Sequence, residues 1–252
     1  MTKRKIQAVT FDLWDTVFID DSDEPKRKAK GLQPKAAARR AAVHRFLERH
    51  APISAERVAL AYDTTDAAFR LAWHDQHVTW TVRQRLGIVL SGLGRELPDD
   101  ELDELVRIHE TMELGTKPDL VPGIGKALAE LAGRYALGVI SDAIFTPGWA
   151  LREILDGYGL LGCFSGFVFS DEVAASKPAP KTFHEAARVL GVAVDGIVHV
   201  GDREHNDVAG PHAVGARAVL ITAAIDRGSA NTKADAICRD CADLPAIIGG
   251  LE

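Results

Sequence analysis

The spacing of apolar residues changes twice along the chain. Residues 6–11, IQAVTF, form a short run rich in β-formers that stops at Asp12, the pattern of a strand buried on both faces. Residues 20–35 lose periodicity: DDSDE gives way to PKRKAKG, then Gln33 and Pro34, which predicts a charged loop. From Ala36 to about Met112, apolar residues recur at helical spacing in AAARRAAVHRFLERH, SAERVALAYDTTDAAFRLAWHDQ, VRQRLGIVLSGL and DDELDELVRIHETM. Breaks fall at Ala51–Pro52, around Gly92–Gly94 and at Pro98, and Ser54 and Asp99 are placed as N-caps. Four helices with no strand between them predict a helical bundle inserted as one block.

After Pro118 the rhythm alternates. PGIGKALAELAGRY, TPGWALREILDGYG, APKTFHEAARVLG and HNDVAGPHAVG read as helices, and ALGVIS, GFVFS, GIVHV and ARAVLIT as strands. Strands separated by helices predict a parallel sheet covered on both faces. The fold class is therefore α/β: a Rossmann-like parallel-sheet core from residues 1–16 and 117–252, with an inserted α-helical bundle cap at 17–116. No internal repeat is evident.

At 252 residues the chain accommodates such a core and insertion. No apolar run approaches the roughly 20 residues of a membrane helix. The basic start, MTKRKIQAVTF, is followed by too short an apolar stretch for a secretory signal. The formal net charge of −6 argues against general affinity for nucleic acid or anionic membranes. Three cysteines provide no disulfide framework, and the CRDC pair, Cys238 and Cys241, lacks a second pair to complete a zinc site. They read as packing or surface thiols, and the expected compartment is a reducing cytoplasm.

In an open parallel sheet, functional groups gather outside the carboxyl ends of the strands. Four such ends here carry polar residues: Asp12; Ser141 and Asp142; the loop SKPAP with Lys177; and GDREHND with Asp202, Asn206 and Asp207. Singly, each has a plain explanation, as a helix cap, a turn former or a solvated lysine. Together, Asp12, Asp202 and Asp207 would repel one another unless a cation joined them. A hard divalent ion such as Mg²⁺ suits oxygen ligands and a phosphate. Ser141 and Lys177 would then offer a hydroxyl and a positive charge to phosphoryl oxygens.

FDLWDT, ISD, SKP and GDREHND, in that order, resemble the motifs of the haloacid dehalogenase-like (HAD) hydrolase superfamily, and the helical block resembles its C1-type cap. The resemblance implies a nucleophile at Asp12 that forms a covalent aspartyl intermediate. It further implies Mg²⁺ held by Asp12, the Trp14 backbone carbonyl and Asp202, with Asp207 as a further ligand or acting through water. Ser141 and Lys177 would orient the transferred group, and Asp142 would support substrate binding. The implied activity is a phosphatase acting on a small phosphorylated metabolite.

The first motif departs from the family's D-x-D-G-T. The position two residues after the nucleophile, which supplies the general acid and base in phosphatases of this kind, is Trp14, and Asp15 stands where glycine is usual. General acid–base catalysis contributes about 10²–10⁴-fold. One account has a rearranged turn bringing Asp15 to the substrate, although adjacent residues of an extended chain point to opposite sides. A second keeps a phosphatase whose leaving group needs little protonation. A third is a 2-haloacid dehalogenase, whose halide needs no proton. Asp202 and Asp207 beside Asp12 would disfavour that metal-free chemistry, and Phe183 stands about where the dehalogenases would have tyrosine. A phosphonatase-like cleavage would need a cap lysine, and Lys26, Lys28, Lys30 and Lys35 precede the helices expected there. A non-catalytic HAD-fold binding protein is the reading from another class; the retained Asp12, Lys177 and Asp202 speak against it.

Smaller features carry less. His74 and His77 share a helix face but lack a third ligand. The basic run Lys26–Arg40 could draw in an anion, though a solvated face balanced by Asp20–Glu24 is the plainer reading. Gly123 and Gly125 read as a helix start, and His205 as the exposed start of another.

Overall fold

The structure is a computed structural model that describes residues 5–252. The first four residues of the expected core segment, with most of the basic charge of the N-terminal stretch, lie outside it. Among the described residues, six strands form one parallel sheet: β1 (Ala8–Phe11), β2 (Ala136–Ser141), β3 (Gly166–Phe169), β4 (Ile197–Gly201), β5 (Arg217–Ile221) and β6 (Ala236–Cys238), in the order β3-β2-β1-β4-β5-β6. The chain winds outward from β1 on one side and from β4 on the other. The crevice between those two strands' carboxyl ends is therefore the topological switch point.

Among the described residues, twelve α-helical segments accompany the sheet. α1 (Asp23–Ala29), α2 (Lys35–Glu48), α3 (Ala55–Gln76), α4 (Val82–Gly92), α5 (Asp99–Glu110), α6 (Met112–Gly115) and α7 (Ile124–Ala132) lie between β1 and β2. α8 (Gly148–Asp156), α9 (Ser170–Val173), α10 (Pro180–Leu190), α11 (Gly210–Ala213) and α12 (Leu244–Gly250) follow.

Both faces of the sheet are buried, which is why its strands read as apolar runs rather than alternating ones. Val9, Phe11, Leu137, Val139, Val198 and Val200 pack with α7, α8 and α12. On the opposite face Ile140 and Val168 meet Phe183 and Ala186 of α10. That helix sits close to the sheet: a methyl on Gly138 or Gly166 would come within 2.9 or 2.8 Å of Leu190. The helices α2–α5 enclose a core of their own, built from Val43, Phe46, Leu47, Val58, Tyr62, Leu86, Leu90 and Leu105. Among the described residues, no helix is long and apolar enough to cross a membrane.

Several expectations need correction. Residues 20–35 are not a loop throughout, because α1 forms inside them. Asp23 and Glu24 occupy its first turn and Lys26–Lys28 its last, the charge order that favours a helix dipole without any apolar periodicity. Val17 and Phe18 pack with the sheet's core rather than with the helical block. Ser54 caps α3, accepting from the Arg57 amide, but Asp99 is the first residue of α5 and Pro98 precedes it as the cap. Proline's fixed φ suits that position, and Asp99 joins Asp100 and Glu101 in an acidic first turn. The stretch 204–209 forms a π-type turn before the short α11, where one continuous helix was expected. β6 and α12 had no counterpart in the sequence reading. Cys238 and Cys241 are fully buried free thiols, and burial pushes them to about 12 and about 11.

Candidate active site

Register brings the first two acids together. β1 and β4 pair with Phe11 opposite Val200, and the Asp12 amide donates to the Val200 carbonyl at 2.9 Å. Asp12 and Asp202 therefore leave adjacent strands at the same height. Asp207 arrives from the π-type turn after β4. Carboxylate oxygens of Asp12, Asp202 and Asp207 lie within 4.8 Å of one another, all three residues buried. Gly201 makes this possible: a methyl there would stand 2.3 Å from Asp207 Cγ.

Lys177, at the end of the loop after β3, lies against two of these acids. Its Nζ is 3.0 Å from Asp12 Oδ1 and 2.6 Å from Asp207 Oδ1. Burial alone would favour the neutral amine, but Asp12, Asp207 and Asp142 outweigh it and hold the ammonium well above the usual lysine range. Asp207 Oδ1 also takes His199 Nε2 at 3.1 Å, and its Oδ2 accepts from the Arg203 amide at 2.9 Å. Those contacts outweigh burial and keep Asp207 ionised far below the usual carboxylate range. His199 stays neutral: burial, with the nearby Lys177 charge, lowers its pKa, and Nδ1 lies 2.9 Å from Thr10 Oγ1.

Asp202 has the opposite character. Burial first, then the neighbouring Asp12 and Asp207, raise it to about 7. Its Oδ2 accepts from Arg227 Nε at 2.5 Å, whereas its buried Oδ1 accepts no hydrogen bond and has Arg203 Nε only at 4.0 Å. A buried carboxylate oxygen without a donor is what a cation ligand looks like before the cation is counted. The donor set is all oxygen, as a hard divalent ion requires, and the residues present fit Mg²⁺.

Asp142 bridges core and cap. Its Oδ1 accepts from the Lys177 amide at 3.0 Å and its Oδ2 from Trp73 Nε1 of α3 at 3.1 Å. Burial, with Asp12 nearby, raises it to about 7 against the pull of Lys177. The cleft above these groups encloses about 410 Å³ and is lined from the core by Asp12, Trp14, Asp142, Thr146, Lys177 and Asn206. From the cap side, Asp20, Glu24, Lys35, Arg39, Trp73 and Glu113 close it.

Asp12, Asp142, Lys177, Asp202 and Asp207, singled out in the sequence, thus converge. Ser141 does not line the cleft; it ends β2, buried, with an Oγ that makes no hydrogen bond. Trp14 is half-buried at the cleft wall, edge-on to Phe18. Asp15 turns away: its φ of +53° sends the carboxylate toward Arg227 Nη2, 2.6 Å off, and its other oxygen accepts from the Asp20 amide. His74 is exposed, and His77, the residue after α3, accepts through its carbonyl from the Ser176 amide. Phe183 is buried edge-on to His199.

Three cations were missed. Arg227 was hidden in a loop, although IDRGS holds a signal: Asp226 accepts from the Gly228 and Ser229 amides, a turn that fixes Arg227 beside the fourth strand. Lys35 and Arg39 were read as part of a solvated run, and no local signal in the sequence distinguishes them. Lys35 is the first residue of α2 and reaches the cleft, so the cap does hold a lysine there, contrary to expectation. Its Nζ lies 2.6 Å from Asp23, 3.0 Å from Glu113 and 3.2 Å from Asp21. Against the effect of burial, Glu113 and Asp23 hold it protonated, and an ammonium is no Schiff-base nucleophile.

Residues 6–215 match the family model of haloacid dehalogenase-like hydrolases. The chain belongs to that family. It is 35% identical over 126 residues to a glyceraldehyde 3-phosphate phosphatase of Methanopyrus kandleri, a match that spans 49% of this chain and half of that relative's length. Among solved structures, a HAD phosphatase from Thermococcus onnurineus superposes with a TM-score of 0.65 at 26% identity, covering 97% of this chain and 99% of that one. A 2-haloacid dehalogenase from Pseudomonas syringae pv. tomato DC3000 gives 0.63 at 22% identity, covering 98% and 100%. That second likeness shows the fold alone.

Proposed function

We propose that this hydrolase is a Mg²⁺-dependent phosphatase of a small phosphorylated metabolite, with Asp12 as the nucleophile. The observation that carries the proposal is the buried Asp12–Asp202–Asp207 cluster with its undonated Asp202 Oδ1. A halide-displacing site has no use for two further carboxylates beside its nucleophile, because they repel an anionic substrate.

Asp12 and Asp202 would hold the ion directly, with the Trp14 carbonyl beside them. Asp207, whose oxygens already serve Lys177, His199 and Arg203, acts mainly to aim the lysine. Mg²⁺ bound there supplies positive charge to the phosphoryl oxygens and relieves repulsion among the carboxylates. Asp12 attacks phosphorus, the ester oxygen departs with its electron pair, and an aspartyl phosphate forms. Lys177, fixed between Asp12 and Asp207, stabilises the charge on the transferred group. Water then attacks the phosphorus, returning Asp12 and releasing phosphate.

Asp15 is committed to Arg227 and Asp20, and the Trp14 indole has no acidic proton, so neither position offers a general acid. Esters whose leaving oxygen needs little protonation are the fastest substrates of such a site.

The test is phosphate release from p-nitrophenyl phosphate with Mg²⁺, with chelator, and in Asp12→Asn. Mg²⁺-dependent turnover abolished by the substitution is expected. Chloride release from a 2-haloacid that persists in chelator, without phosphate release, overturns the proposal in favour of dehalogenation.

A further inference from the structure

Four cations line the cleft, and three of them face carboxylates. Lys177 lies against Asp12 and Asp207, Lys35 against Asp21, Asp23 and Glu113, and Arg203 approaches Asp202. Arg39 is the exception. It is 6% exposed, its Nε is buried without a hydrogen bond, and among the described residues its guanidinium makes no ion pair. Only a ring holds it: the guanidinium carbon sits 3.6 Å from the centroid of Phe145. Arg85 packs over the same ring at 3.8 Å, but donates to Asp66 at 2.6 Å and to the Ile144 carbonyl at 3.0 Å. Of two arginines on one phenyl ring, the one facing the cleft makes no ion pair among the described residues.

A buried guanidinium without a partner is costly, and the usual remedy is an anion with which it can form paired hydrogen bonds. Its planar fork matches a carboxylate or phosphate, and stacking on Phe145 fixes it in advance. Glu113 gives Oε1 to Lys35 and its buried Oε2 makes no hydrogen bond, so it acts on Arg39 as a nearby charge without pairing with it. The cleft, about 410 Å³, has room for a small molecule that spans core and cap.

Resting on the phosphatase reading above, we propose that Arg39 is a substrate-specificity residue: it receives a second anionic group of the substrate, at the end remote from the phosphoryl group held by Asp12 and Lys177. The substrate class is then a small phosphate ester that also carries a carboxylate or a second phosphate.

The experiment measures binding by calorimetry in Mg²⁺, using non-hydrolysable probes on wild type, Arg39→Met and Arg39→Lys. The probes are methylphosphonate, phosphonoacetate and methylenediphosphonate, which separate the carboxylate and phosphate forms of the second anion. In wild type, at least one doubly anionic probe binds tenfold or more tighter than methylphosphonate, on the order of a charge-assisted hydrogen bond. Arg39→Met abolishes the difference and Arg39→Lys restores part of it. Without ligand, Arg39→Met melts close to wild type, because the charge it removes was held by the Phe145 ring and not by an anion, so lost discrimination in that variant is not lost fold. Equal binding of all three probes by wild type, no binding of any, or discrimination that survives in Arg39→Met each overturns the proposal. Turnover of p-nitrophenyl phosphate by wild type is scored separately. Discrimination among the phosphonates without that turnover keeps the anion site and removes the phosphatase.

Discussion

Asp15 and Asp202 share one guanidinium: Arg227 donates through Nη2 to Asp15 at 2.6 Å and through Nε to Asp202 at 2.5 Å. The residue after Trp14 is thereby tied to the loop after β5, and one oxygen of Asp202 is occupied while the other accepts no hydrogen bond. Arg227→Met removes a partner from a buried carboxylate beside two others. We expect a loss of about 1–2 kcal/mol without metal, discounted because the arginine is itself partly exposed. Mg²⁺ should stabilise the variant more than wild type, since the ion then supplies all of the missing counter-charge. Thermal melting with and without Mg²⁺ measures both; equal Mg²⁺ shifts would refute the coupling.

Trp14 separates the two halves of the missing acid–base function. Trp14→Asp places a carboxylate two residues beyond Asp12 and removes an indole that packs on Phe18. Hydrolysis of an alkyl phosphate should rise by about 10²-fold or more relative to an aryl phosphate, the lower end of general acid catalysis. An unchanged alkyl-to-aryl ratio of kcat/KM would show that this position is not what limits the reaction.

Gly201 tests the placement of Asp207. In Gly201→Ala the new methyl meets Asp207 Cγ at 2.3 Å, so the carboxylate must move away from Lys177, His199 and the Arg203 amide. A misplacement on the ångström scale costs about 10²-fold in rate, and overpacking adds about 1–3 kcal/mol of instability. Retained activity in Gly201→Ala would mean that Asp207 does not position the lysine.

His109 makes the helical block acid-sensitive. Burial lowers its pKa from 6.5 to about 4; its Nδ1 lies 2.8 Å from the Leu105 carbonyl, and its Nε2 is buried without a hydrogen bond. The unfolded chain binds a proton here below pH 6.5, and the folded one only near pH 4. Stability is therefore lost as the pH falls through that window, by on the order of 3 kcal/mol at most. His109→Leu should flatten this part of the pH profile of melting temperature. If the two profiles remain parallel from pH 7 to 4, the histidine does not contribute.

How far the sequence could be read follows from which interactions are local. The apolar runs before Asp12, Ser141 and Gly201 announced their strands because burial on both faces leaves few polar positions in β1, β2 and β4, and the two inside β1 and β4, Thr10 and His199, meet each other. The strand-end acids and Lys177 followed, because a parallel sheet aligns its carboxyl ends. Helix α1 was not legible, since its stability comes from charge order and from contacts such as Lys26 with Asp119 rather than from an apolar stripe. β6 has only three residues and one neighbouring strand, too little for a periodic signal.

By itself, then, the chain determined the sheet, the helical block and the acids around Asp12, all set by hydrophobic period and strand direction. Tertiary structure alone decided which charges meet across long separations. It turned Asp15 to Arg227, 212 positions away, buried Lys35 among acids, and left Arg39 facing the cleft with no anion of its own. An ion pair depends on distance in space, and a run of lysines and arginines looks the same in sequence whether water or a carboxylate awaits each one.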